Sequence, residues 1–190
     1  MTGVAQTGSG SMHGSGMATL STAASQIDEG RKLVSLSTTA ILIPAGHSSE
    51  GLLVKSHGAA WVEIVNVLGN NWTAAFQIEP RQWEEILAGA LHKEGFNVTL
   101  TSRSGDHGRD VIAEKSGVGC MRMLGSMKAY APDHLVSREH VHEILGVVEA
   151  ERATKGMIVT TSDFAPKLFD APGLAAAVPH RLELMNGLQL

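Results

Sequence analysis

Residues Gly105 to Tyr130 read GDHGRDVIAEKSGVGCMRMLGSMKAY, and this stretch contains the pattern that decides the fold. Two short apolar runs, around Ile112 and Leu124, flank a Ser-Gly-Val-Gly segment at residues 116–119. Apolar runs separated by a glycine-rich turn are typical of a β-hairpin. The stretch therefore predicts two antiparallel strands joined by a tight loop centred near Val118.

The register of this hairpin decides which side chains lie together. A midpoint near Val118 predicts that Asp110 lies opposite Ser126, with Lys128 two residues further along. Opposed residues point to the same side of a sheet, and side chains alternate along each strand. A carboxylate and an ammonium are therefore expected side by side at the open end of the hairpin.

The same register pairs Glu114 with Arg122 and Ile112 with Leu124. The other face is expected to be core and holds Val111, Ala113, Met121, Met123 and Met127.

The composition limits the class of protein. The chain has 190 residues, 43% apolar and 18% charged, which is typical of one globular domain with a substantial core. The net charge of -4 argues against coating of nucleic acid by bulk electrostatics but leaves a local basic patch open. No apolar run approaches the roughly 20 residues that cross a bilayer, so we expect no membrane association and a cytoplasmic location. Cys120 is the only cysteine, which excludes an internal disulfide.

Three regions follow one another along the chain. Residues 1–39 are rich in Gly, Ser, Thr and Ala, which predicts a disordered or low-complexity tail. Residues 40–79 contain two short strand patterns and one helical pattern, which predict a small α/β extension packed on the main domain. Residues 80–190 contain the hairpin and form the predicted main domain.

A helix is predicted at about residues 82–94, because Trp83 begins a buried stripe with helical spacing and Gly95 suits a left-handed cap. Glu84 lies beside this stripe and is expected to point inward toward the hairpin, whereas Glu85 is expected to meet solvent. The alternative is that both glutamates simply favour the positive end of the helix.

Further elements are predicted after the hairpin. Ser137 is a candidate cap for a helix that ends near Glu151. His140 and His142 point roughly 200° apart on such a helix, so we do not expect them to chelate one ion. Residues 157–161 predict a buried strand, and residues 181–185 predict an edge strand.

A carboxylate beside an ammonium suits phosphodiester hydrolysis. This reaction needs a metal ion that neutralises the phosphate, an activated water and help for the leaving oxygen. Magnesium prefers carboxylates and waters, so Asp110 is the candidate ligand. Lys128 is the candidate for positioning or deprotonating the water and for stabilising the added negative charge. Glu84 could supply a second carboxylate from the helix.

Six segments also match a known pattern: WEEI at 83–86, GF at 95–96, LT at 100–101, SGDHGRDVIA at 104–113, KAY at 128–130 and TTSDFAP at 160–166. Together they resemble the Mrr-like restriction endonucleases of the PD-(D/E)xK superfamily. The resemblance covers about residues 82–190 and implies an α/β fold, in which a mixed central sheet of four or five strands is flanked by helices. It also implies Mg²⁺-dependent cleavage of DNA, often by a homodimer, in the restriction of foreign or modified DNA.

The resemblance assigns roles by position. Asp110 corresponds to the metal-binding aspartate, Lys128 to the catalytic lysine, and Glu84 to the glutamate of the helix. Ser126 stands where family members usually have Gln or Glu, and a neutral hydroxyl is a poor ligand for magnesium. Two functions therefore stay open: an active endonuclease, or a catalytically weakened or inactive nuclease-fold domain that binds DNA or a partner protein.

Three residues before the hairpin are candidates for DNA contact. Arg103 and Arg109 lie where phosphate contacts are expected, and their alternative role is simple surface charge. His107 lies in a glycine-rich turn, for which we favour contact with DNA or shaping of the loop over metal ligation.

Overall fold

The structure is a computed structural model that describes residue 28 and residues 42–56, 58–102, 108–170 and 172–190. Its strands in these ranges are β1 (Leu42–Ser48), β2 (Gly51–Ser56), β3 (Asn97–Thr101), β4 (Val111–Lys115), β5 (Met121–Lys128), β6 (Lys155–Thr160) and β7 (Leu182–Met185). Its α-helices are α1 (Gly58–Asn70), α2 (Pro80–Lys93), α3 (Arg138–Ala150) and α4 (Pro172–Ala177). Short 3-10 helices lie at Trp72–Gln77 and Leu168–Asp170.

Within the described ranges, the strands form one mixed seven-stranded sheet in the order β1-β2-β3-β4-β5-β6-β7. Strands β1 to β5 pair antiparallel, whereas β5, β6 and β7 are parallel. This mixed sheet with flanking helices confirms the predicted fold class. The sheet is larger than the four or five strands that the resemblance implied, because β1 and β2 extend it beyond β3.

The predicted extension at residues 40–79 is continuous with the main sheet. Strand β2 pairs with β3, with Val54 opposite Val98. Ile64 of α1 is 1% exposed and packs in the same core as Trp83 of α2. The domain boundary near residue 80 therefore stays a prediction. The tail predicted at residues 1–39 lies outside the described residues, apart from Asp28.

The central hairpin has the predicted register. Glu114 pairs with Arg122, and Ile112 pairs with Leu124. The pairing extends to Val111 opposite Gly125 at the open end. Since a shift of one residue would exchange the two faces, this register decides where the side chains near position 110 project.

Two apolar cores lie on opposite faces of the sheet. One core joins α1 and α2 to residues that include Val111, Met123 and Met127, as predicted. The second core joins α3 to Ile112 and Leu124. On the face that carries Asp110, the apolar pair Ile112 and Leu124 therefore lies between the charged pair Glu114 and Arg122 near the turn and the polar groups at the open end.

The ends of α2 and α3 follow their sequence signals. Pro80 is the first residue of α2, and Gly95 beyond its last turn has φ +84°, as a left-handed cap requires. Ser137 precedes α3, and its backbone N–H donates to His140 Nδ1 at 3.2 Å. In the part of the chain that the structure describes, no helix is long and apolar enough to cross a membrane.

Candidate active site

Asp110 lies at the point where the chain enters β4. Its backbone N–H donates to the carbonyl of Gly125 at 2.8 Å. Its carboxylate oxygen Oδ2 accepts the backbone N–H of Met127 at 2.6 Å. These two bonds reach β5 on either side of Ser126, so the carboxylate is held at the end of the hairpin.

Ser126 is buried in the middle of this arrangement. Only 2% of the residue is exposed to solvent. Among the described residues, its hydroxyl oxygen Oγ has no hydrogen-bond partner. A buried hydroxyl without a protein partner is costly, so this oxygen is a candidate to bind a water or a cation.

Lys128 is the last residue of β5 and is half-buried. It pairs with Thr160 of β6, whose hydroxyl donates to the Lys128 carbonyl at 2.8 Å. Lys128 alternates in phase with Leu124, which packs in the core under α3, so its side chain projects to the α3 side of the sheet. The structure therefore brings Asp110, Ser126 and Lys128 to one end of the hairpin.

Glu84 lies in the second turn of α2 and forms an ion pair. Arg81 Nη1 donates to Glu84 Oε2 at 2.6 Å and to the carbonyl of Thr101 at 3.1 Å. Glu84 is therefore tied to the end of β3 through a guanidinium, and its charge is already balanced. Glu85 is half-buried and not fully exposed as the helical phase indicated.

Arg109 is engaged inside the protein. Its guanidinium pairs with Glu151 at the end of α3 and lies 3.7 Å from Glu50. Its side chain is 14% exposed. A phosphate would have to compete with Glu151, so the DNA contact of Arg109 stays a prediction. Arg103 and His107 lie outside the described residues.

Sequence reasoning gave no role to an aromatic and imidazole cluster beside Lys128. The rings of Tyr130 and His134 stack, with centroids 4.0 Å apart and planes 6° apart. Tyr130 Oη lies 3.2 Å from His140 Nε2. Because Ser137 N–H donates to His140 Nδ1, the neutral imidazole carries its proton on Nε2 and donates to Tyr130. The KAY segment was a signal for Tyr130, but only packing of α3 brings His140 to it.

Electrostatics in this cluster follow from burial and charge. Burial, aided by the charge of Lys128, lowers the pKa of His140 below its usual 6.5. Burial, aided by the charge of Glu143, raises the pKa of Tyr130 above its usual 10.0. Both groups are therefore neutral at pH 7. Glu143, which the sequence did not single out, acts on both.

The oxygen donors at the site fit a hard cation. The Asp110 carboxylate is an oxygen ligand of the kind that magnesium prefers, and the Ser126 hydroxyl, which lacks a partner among the described residues, is a weaker, neutral oxygen donor beside it. Magnesium keeps several waters and needs only one or two carboxylates. Within the described ranges, no group of three or more His, Cys, Asp or Glu side chains is arranged to hold a metal. Any such ion would therefore depend on few protein ligands.

Comparison with known proteins identifies the class. The family model described as a restriction endonuclease, of the Mrr catalytic type, matches residues 76–190. This match covers more than half of the chain and includes Glu84, Asp110, Ser126 and Lys128. The chain belongs to this restriction endonuclease family, which confirms the resemblance seen in the sequence. No curated protein matched the chain.

Three solved structures are similar to parts of the chain. The DNA modification-dependent restriction endonuclease AspBHI is 17% identical with a TM-score of 0.42, over 62% of this chain and 33% of its own. The MspJI restriction endonuclease in complex with a 27-mer oligonucleotide is 17% identical with a TM-score of 0.41, over 71% of this chain and 31% of its own. AF1548, a protein of unknown function, is 17% identical with a TM-score of 0.42, over 59% of this chain and 57% of its own. The chain thus spans about a third of AspBHI and MspJI.

Proposed function

We propose that this chain is a Mg²⁺-dependent endonuclease that hydrolyses DNA phosphodiester bonds, in the restriction of foreign or modified DNA. Membership of the restriction endonuclease family supports this proposal. The observation that carries it is the hydrogen bond from Met127 N–H to Asp110, which holds a carboxylate at the end of the hairpin that contains Ser126 and Lys128.

Each residue has a proposed role. Asp110 would hold the ion, with Ser126 Oγ contributing directly or through a water. When bound, magnesium supplies neutralisation of the phosphate charge and polarisation of the phosphoryl group. Lys128 would orient the attacking water and stabilise the extra negative charge of the transition state. The water oxygen forms a new bond to phosphorus, and the bond to the leaving sugar oxygen breaks. The attacking water releases one proton to solvent, and the leaving sugar oxygen takes one proton from solvent, so the step balances.

Cleavage of DNA tests the proposal. Supercoiled plasmid, methylated and unmethylated, is incubated with the protein in Mg²⁺, in Ca²⁺ and in EDTA. We expect nicked or linear product in Mg²⁺ and none in EDTA. Absence of product on both plasmids in Mg²⁺ would contradict an active endonuclease.

A specific observation favours a second candidate, in which the domain binds DNA or a partner protein without cutting. Ser126 offers a neutral hydroxyl where a second acidic or amide ligand is expected, and Glu84 is engaged by Arg81. Weak metal binding would follow from this loss of charge. Retardation of a duplex oligonucleotide in a gel, without cleavage in Mg²⁺, would support this candidate.

The partner and the setting of the protein are part of the proposal. We infer that DNA is the partner, that the chain acts as a homodimer, and that it works in the cytoplasm. Light scattering of the purified protein, with and without a duplex oligonucleotide, tests the dimer. A monomeric mass in both samples would contradict it.

A further inference from the structure

The hydroxyl of Ser126 faces the α3 side of the sheet. Its neighbour Gly125 faces α2, since a Cβ placed there would lie 3.6 Å from the side chain of Leu87. Leu124, two residues before Ser126, packs in the core under α3. Because side chains alternate along a strand, Ser126 and Lys128 project toward α3.

This orientation bears on the source of a second carboxylate. Helix α2, which carries Glu84, packs on the opposite face of the sheet. The carboxylate of Glu84 is also held by Arg81 at 2.6 Å, with 17% of its side chain exposed. A ligand from α2 would have to leave this ion pair and reach around the end of the sheet.

Helix α3 carries a carboxylate on the same side as Ser126. A Cβ placed on Gly108 would lie 2.8 Å from Glu143 Oε1, so the carboxylate rests against the chain two residues before Asp110. The charge of Glu143 also acts on Tyr130, which follows Lys128 by two residues. Glu143 is thus an exposed residue whose carboxylate lies beside the entry to β4, on the α3 side of the sheet. Within the described part of the chain, it forms no salt bridge.

These positions identify a carboxylate that can replace the acidic ligand expected at position 126, where this chain has a serine. Ser126 Oγ is buried, lacks a partner among the described residues and faces α3, and a hard cation gains affinity from each added carboxylate. We propose that Glu143 supplies the second carboxylate of the divalent-metal site, in place of an acidic residue at position 126, together with Asp110 and Ser126 Oγ. This inference rests on the proposed metal-dependent function and departs from the assignment of Glu84 as the second ligand.

Calorimetric titration with Mn²⁺ and with Mg²⁺ tests this ligand set without reference to activity. The full chain is compared with Glu143→Gln, Glu143→Asp, Glu84→Gln and Asp110→Asn. Glu149→Gln is the matched control, because Glu149 is an exposed glutamate of α3 that pairs with Arg181. Thermal unfolding of each variant checks that it is folded.

We expect Glu143→Gln to weaken metal binding by about tenfold or more, with Glu143→Asp intermediate because its carboxylate is shorter. Glu149→Gln is expected to bind as the wild type does, and Glu84→Gln to lose less than Glu143→Gln. Equal affinity of Glu143→Gln and wild type, a larger loss for Glu84→Gln, or no metal binding by the wild type would overturn the inference. Plasmid cleavage by the wild type separates these failures from a failure of the proposed function, because cleavage can persist when Glu143 is not a ligand.

Discussion

The carboxylate of Asp110 accepts a hydrogen bond from the backbone N–H of Met127 at 2.6 Å. The bond links the first residues of the outgoing strand to the returning strand, one residue before Lys128. The carboxylate therefore has two possible tasks, holding the hairpin end together and presenting its second oxygen to a cation.

Substitution of Asp110 separates these tasks. Asp110→Asn keeps an oxygen that can accept from Met127, whereas Asp110→Ala loses it. We expect Asp110→Ala to lower the free energy of unfolding by about 1–3 kcal/mol, and Asp110→Asn by less. Both variants are expected to lose metal binding. Urea unfolding followed by circular dichroism measures the difference, and equal stability of Asp110→Ala and wild type would show that the bond adds nothing.

Gly108 is the position where a methyl group should disturb both the backbone and Glu143. Gly108 has φ +79°, and a Cβ there would lie 2.8 Å from Glu143 Oε1. We expect Gly108→Ala to destabilise the protein by about 1–2 kcal/mol, since L-residues resist this conformation. Gly146→Ala is the matched variant, because nothing lies within 4 Å of a Cβ in that helical position. Gly146→Ala should instead raise the free energy of unfolding by about 1 kcal/mol, because alanine favours a helix more than glycine does. A lower free energy of unfolding for Gly146→Ala would contradict this prediction.

The ion pairs around Glu50 predict a dependence of stability on acid. The hydrogen bond from Arg122, together with the charges of Arg122 and Arg109, lowers the pKa of Glu50 below its usual 4.5. A carboxyl group whose pKa is lower in the folded than in the unfolded protein stabilises the fold. This stabilisation is complete at pH values above the pKa of the unfolded state, and it is lost as the pH falls through the pKa of the folded state. Wild type should therefore exceed Arg122→Met in melting temperature at pH 7, with the difference shrinking below about pH 4. A difference that does not change with pH would contradict this.

His140 predicts a second dependence at higher pH. Tyr130 Oη lies within hydrogen-bond distance of its ring. Burial, aided by the charges of Lys128 and His134, lowers the pKa of His140 below 6.5, although the charges of Glu143 and Glu139 act in the opposite direction. Its contribution to stability is thus complete above about pH 6.5 and is lost as pH falls through the folded pKa. His140→Gln keeps a side chain that can accept from Ser137 N–H and should remove this dependence, whereas His142→Gln, at an exposed position of α3, should not. Melting temperatures between about pH 5 and 8 give the comparison, and parallel curves for wild type and His140→Gln would refute it.

The sequence predicted the local parts of this fold better than the distant ones. The pairing of Glu114 with Arg122 followed from a short glycine-rich turn, because a turn of known length fixes the register. The pairing of Val54 with Val98 did not, because no short-range signal joins strands so far apart in the chain. Strands β1 and β2 were therefore expected in a small extension packed on the main domain, and not as part of its sheet.

The candidate site divides in the same way. Asp110, Ser126 and Lys128 were recognised because they lie on one hairpin and match a family pattern. His134, His140 and Glu143 were not, because their proximity depends on how α3 packs against the sheet. Helical geometry predicted that His140 and His142 point in different directions, and in the structure His140 contacts Tyr130 while His142 is exposed.

The central claim is that Lys128 acts in hydrolysis of DNA, and a cleavage assay of Lys128→Ala in Mg²⁺ tests it most directly. Lys167→Ala is the matched control, because Lys167 is exposed and lies outside the proposed machinery. We predict that wild type and Lys167→Ala cleave plasmid DNA at similar rates, while Lys128→Ala is slower by about 100-fold or more and still retards a duplex oligonucleotide. Cleavage by Lys128→Ala at the wild-type rate would contradict the account.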